Sequence, residues 1–126
     1  MKYLKRFNES IDFNSDKLYE HINDIMLPLV DYGFGYKADV YDDDVLIVSI
    51  SKKDKSNFIY SDVKDYFLTI IDLYKEMVGI DLDISYDHYR KVIMYGQEHF
   101  LGIKSEPSDE KLISSVDCTI CNLKGK

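Results

Sequence analysis

Residues 80 to 87, IDLDISYD, alternate without a break. Ile80, Leu82, Ile84 and Tyr86 fall on one side of an extended chain, and Asp81, Asp83, Ser85 and Asp87 on the other. Successive side chains of a strand point to opposite faces, so this stretch is satisfied only with one face packed and one face in water. A fold that contains it has a sheet covered on one side.

The segments around it supply the cover. Ser15 opens a helix: its hydroxyl can cap the first amides, and Asp16 sits in the positive first turn. Leu18, Ile22, Ile25 and Leu29 form its apolar stripe. Pro28 either ends the regular hydrogen bonding or kinks the last turn, and Gly33 and Gly35 finish the element. Residues 36 to 42 (YKADVYD) read as a strand, Asp42-Asp43-Asp44 as a turn, and residues 45 to 52 (VLIVSISK) as a central β-branched strand completing a hairpin. After a polar loop from Lys53 to Phe58, a second helix begins near Ser61. Val63, Phe67, Ile70, Tyr74 and Met77 make its stripe, and Gly79 stops it. Residues 80 to 87 follow, then a turn near His88 to Arg90, then a strand at 91 to 95 (KVIMY) that resumes through Phe100 to Ile103. Residues 105 to 110 (SEPSDE) read as a linker. Ser108, Asp109 and Glu110 begin a short helix carrying Leu112, Ile113 and Val116, and the tail DCTICNLKGK adds an edge strand.

The halves share a plan. Ser15-Asp16 recurs as Ser61-Asp62, and the run from Asp39 to Asp42 recurs loosely from Asp83 to Asp87, an offset of about 45 residues that suits an internal pseudo-repeat. The expected fold is α+β: two helices packed on one face of a four-stranded, mainly antiparallel sheet in αββαββ order. It divides into a basic amphipathic N-terminal segment (1–14), an α+β domain (15–104), and a linker, short helix and tail (105–126).

Composition limits function more than it reveals it. The 126 residues favour one domain, and such a chain buries roughly two-thirds of its unfolded surface without a staple. A net charge of -7 disfavours nucleic acid and anionic membrane as partners and fits a basic protein partner. No apolar run reaches the ~20 residues needed to span a bilayer. No apolar stretch of a secretory signal follows Lys2, Lys5 and Arg6. The expectation is an intracellular protein with reduced thiols. Fourteen Lys against two Arg, with 14 Ile and 17 Asp, point to an AT-rich genome. Eleven Tyr and no Trp fit core positions first and an interface second.

The candidate chemistry is thin. Asp42-Asp43-Asp44 offers carboxylates to a hard cation but lacks the Gly and distal Glu of a calcium loop, so it reads as a solvated turn. Cys118 and Cys121 have CxxC spacing without a second pair, and His21, His88 and His99 are scattered. On a strand the two Cys face opposite sides. His88 reads as a turn histidine that Asp87 does not orient. A nuclease reading would take Asp39 as its first carboxylate, but the next strand offers Ser51-Lys52-Lys53 without the acid, and Asp62-Val63-Lys64 falls on a helix. No catalytic residue, metal ligand or cofactor is assigned.

The first ten residues, MKYLKRFNES, stand apart as a basic peptide with Tyr3, Leu4 and Phe7 on one helical face. They resemble the start of many proteins of large tailed bacteriophages: Met-Lys, an apolar pair, then Phe-x-Glu. In internal head proteins of that group a similar peptide is a capsid-targeting sequence, which a prohead protease removes after a Glu two positions beyond an apolar residue. The resemblance therefore implies a processing site at Phe7, Glu9 and Ser10, although the family usually has Leu or Ile where Phe7 stands. Cleavage there would remove Lys2, Lys5, Arg6 and Glu9 and take the net charge from -7 to -9. The alternative is a helix that packs Tyr3, Leu4 and Phe7 onto its own domain.

The function expected from these readings is that of a non-enzymatic phage accessory protein that binds a phage or host protein in the host cytoplasm or the virion interior. A virion head component is the first alternative. A small metal-dependent nuclease or other enzyme, needing Asp39, Asp42 and Asp83 to converge, is the second. A sheet edge could pair with a copy of itself, and nothing in the sequence specifies this or any other oligomeric state.

Overall fold

The computed structural model describes residues 15–41, 45–79 and 81–122. The N-terminal segment with Phe7, Glu9 and Ser10, the Asp42–Asp44 turn, Ile80 and the last four residues lie outside them, as does the Ser15 side chain expected to cap the first helix.

Among the described residues, two α-helices and seven strands follow in chain order. They are α1 (Ser15–Asp31), β1 (Phe34–Tyr41), β2 (Val45–Lys52), β3 (Phe58–Ile59), α2 (Lys64–Val78), β4 (Leu82–Met94), β5 (Gln97–Ile103), β6 (Leu112–Ile113) and β7 (Ser115–Asn122). The α+β class is as expected. The sheet has five strands rather than four, in the order β1-β2-β7-β4-β5, and β3 and β6 form a separate two-stranded piece. Every pairing is antiparallel.

Alternation decides which face is packed. Leu46, Val48 and Ile50 of β2 are buried, as are Val116, Cys118 and Ile120 of β7, all on one face of the sheet. They join the helical stripes Leu18, Ile22, Met26 and Leu29 of α1 and Phe67, Ile70, Ile71 and Tyr74 of α2 in a single core. The opposite face carries Ser49, Asp117, Thr119, Asp83 and Ser85, the wet side that IDLDISYD requires. Pro28 does not end α1, which runs on to Asp31. Gly79, at φ 114°, closes α2 by donating its N–H to the Lys75 carbonyl at 2.8 Å.

Three expectations are corrected. The tail strand is not an edge: β7 lies between β2 and β4 and pairs with both along its length. The reason is its apolar face, Val116-Cys118-Ile120, which fits the gap under the helices. The short helix before it does not form. Leu112 and Ile113 pair with Ile59 and Phe58 instead, where a strap between α2 and the sheet buries Ile113 and Phe58. The turn near His88 to Arg90 is absent too. β4 runs through it, because its first half pairs with β7 up to Tyr89 and its second half with β5 from His88 onward. The polar residues that read as a turn mark the place where β4 changes partner.

Candidate functional site

That change of partner produces an arm. Beyond Tyr89, β4 pairs with β5 alone, and the two strands form a hairpin past the end of β7. Its turn is Tyr95-Gly96, both with positive φ (53° and 75°), the two-residue form whose twist matches the strands. Gly96 accepts that conformation freely; Tyr95 does so at a cost, with its ring fully in solvent. Of the twelve large hydrophobic residues exposed among the described residues, six lie between 93 and 103: Ile93, Met94, Tyr95, Phe100, Leu101 and Ile103. Scattered exposed hydrophobics are ordinary, but a concentration on one projection marks a contact surface. The arm also departs from the chain's acidity, with Arg90, Lys91 and Lys104 against Glu98.

The two sheet edges differ in their cover. On β1, the Val40 N–H donates to the Tyr19 hydroxyl of α1 at 2.9 Å, and the Tyr36 hydroxyl donates to Asn23 at 2.9 Å. The helix thus takes one backbone donor of that edge. On β5, every residue but the half-buried His99 is exposed. Lys91 reaches Glu98 at 3.7 Å, and Lys104 reaches Asp87 at 3.8 Å. Both pairs sit in water and contribute little to stability. Gly102 lies under the Tyr89 ring, where a Cβ would come within 3.0 Å of the ring edge.

At the base of the arm, a groove of about 730 Å³ runs between α2 and the part of β4 that β5 does not reach. Leu68, Ile71 and Lys75 form one wall, Ser105 and Glu106 the other. Tyr86 and Glu106 of its lining lead to a row of protonated groups behind it. The Tyr60 hydroxyl donates to Glu106 Oε2 at 2.7 Å, and Tyr86 stands edge-on to Tyr60 and Phe67. Burial, then the Glu106 carboxylate, raises the Tyr60 phenol; burial and the neighbouring Cys118 raise Tyr86; burial pushes the Cys118 thiol up to about 12. These groups hold their protons near neutrality, so Cys118 is no thiolate nucleophile.

His88 is a buried strand residue, not the turn histidine expected. Its Nδ1 lies 2.8 Å from the Ser105 carbonyl, a bond that requires the proton on Nδ1. Nε2 is buried without a hydrogen-bond partner among the described residues. Cys118 and Cys121 lie on opposite faces, the first buried and the second half-buried. Asp39 and Asp83 share the open face but are separated by β2 and β7, three strand spacings or about 14 Å, too far to hold one cation. Asp42 lies outside the described residues. Asp62 sits in the short 3-10 turn before α2, and Lys64 pairs with Asp109 at 2.9 Å. Among the described residues no three His, Cys, Asp or Glu side chains are placed to hold a metal ion, and no helix is long and apolar enough to cross a membrane.

The spacing places strands at 91–95 and 100–103 but not their projection beyond the rest of the sheet; its one trace is that residues 92 to 95 (VIMY) are apolar at consecutive positions. In a sheet covered on one face, such a run leaves at least two side chains in water, and that was the legible signal. Comparison with family models, curated proteins and solved structures found no match.

Proposed function

We propose that the protein acts by binding another protein chain, through the β4–β5 arm. The observation that carries this reading is the concentration of exposed Ile93, Met94, Tyr95, Phe100 and Leu101 on one projecting hairpin. An apolar surface flanked by basic side chains fits a protein partner with an apolar patch and an acidic rim. The N-terminal resemblance adds a setting: a phage accessory protein working in the host cytoplasm, delivered from the virion if residues 1–9 are removed. Intact mass of the chain from purified particles tests that setting, since a packaged, processed chain begins at Ser10.

The arm itself is tested by installing a photo-crosslinking side chain at position 95, with position 32, an exposed site away from the arm, as the control. Protein adducts at position 95 and none at position 32 are expected. Adducts at neither, or equally at both, would overturn the reading.

A further inference from the structure

We propose that the β5 edge pairs with β5 of a second copy, joining two five-stranded sheets into one of ten strands across a twofold axis. This rests on the reading of the arm as a protein-binding element and names its partner. A twofold axis normal to the sheet runs the two copies of β5 antiparallel and keeps each side chain on its own face. Glu98, Phe100 and Gly102 share the open face with Tyr89 and Lys91, whereas Gln97, His99, Leu101 and Ile103 share the helical side; Lys104, the first residue past β5, reaches Asp87 of the open face. Residues that meet across the seam must therefore come from the same set.

Among the symmetric registers, the one centred on Leu101 is self-complementary. It sets Glu98 opposite Lys104 of the second copy, and symmetry repeats the pair. Phe100 then falls opposite Gly102 of the second copy, beside the Tyr89 ring that already lies over that glycine. Leu101 meets its own copy, and His99 meets Ile103. Registers centred on Phe100 or His99 set Glu98 against Gly102 or Phe100 and give Lys104 no carboxylate across the seam. The existing contacts of Lys91 with Glu98 and of Lys104 with Asp87 extend the seam into a row of alternating charge: Lys91, Glu98, then Lys104 and Asp87 of the second copy. Opposite charges and aromatic pairs directly across a strand seam each favour the register that forms them. The other edge is less suited to such pairing, since Tyr19 already takes its Val40 N–H.

Sedimentation equilibrium of the full chain through the micromolar range tests this. A monomer–dimer equilibrium is expected. Glu98→Lys and Lys104→Glu should each weaken it roughly tenfold or more, because either change sets two like-charged pairs across the seam. The double variant E98K/K104E should associate more tightly than either single, since the pairs across the seam re-form with their signs exchanged, while Lys91 and Asp87 then face like charges within each copy and hold it below the native chain; unchanged urea midpoints show that all variants fold. A chain that stays monomeric, or a double variant no tighter than the singles, would overturn the proposal. If the chain is monomeric while position 95 still forms adducts, self-pairing falls and the arm remains a binding element. If position 95 is silent as well, both fall.

Discussion

At the centre of the sheet, Leu46, Val48 and Ile50 meet Ile120, Cys118 and Val116 across one strand seam, and all six are buried under the helices. In the arm, an antiparallel seam of similar length joins β4 to β5, and Ile93, Phe100 and Leu101 are left in water. Backbone pairing is the same in both places. What differs is whether a second layer covers the side chains. The centre derives its stability from that cover; the arm keeps an apolar surface that nothing in the described chain occupies. Stability and recognition are thus assigned to different parts of one sheet.

Substitutions should separate the two. Ile120→Ala, in the middle of the core, should cost about 2–5 kcal/mol in urea unfolding, by lost burial and the cavity left behind. If Phe100→Ser cost as much, the arm would belong to the core and the contrast would fail.

Alkaline pH should also strike the centre first. Cys118, Tyr60 and Tyr86 have raised values in the folded state, so the unfolded chain ionises before the folded one does. Their contribution is complete below pH 9 and declines as pH climbs from the ordinary thiol value of 9.0 toward about 12. A thermal midpoint that falls steeply over that window is expected, and one that stays level would place these groups in water. Thiol labelling of the native protein sharpens the point: Cys121 should react and Cys118 should wait for unfolding.

Tyr60→Phe removes one hydrogen bond but releases Glu106 to solvent, so a loss of about 0.5–1.5 kcal/mol is expected by denaturant titration. The smallest effect on stability belongs to the arm. Phe100→Ser should shift unfolding by less than about 0.5 kcal/mol while lowering association measured by sedimentation, and Ile93→Ser, on β4 beside the seam, should shift unfolding as little.

The elements that pack on the core were legible because their spacing is. The stripe of α1, the strand from Val45 to Lys52 and the wet-faced strand after Gly79 follow from periodicity alone. Partner choice was not legible. Val116, Cys118 and Ile120 alternate as any half-buried strand does, and no local signal says that β7 lies between β2 and β4. For the same reason the exchange of partners at Tyr89 resembled a turn. The arm showed only as a run of apolar residues too long for one covered face, and the partial cover of the β1 edge rests on Tyr19, distant from it in sequence.

Because β7 is the last of these strands in the chain, the inner edges of β2 and β4 have no partner until it is in place. Until residues 115–122 emerge, the two inner edges are bare, and one belongs to VLIVSI, a segment with the composition of a sticky strand. A nascent chain stalled before Ser115 would have both helices and most of its strands, yet no closed sheet. Translation speed and chaperone supply near that point should therefore govern how much of the protein is recovered soluble, more than the equilibrium stability of the finished chain does.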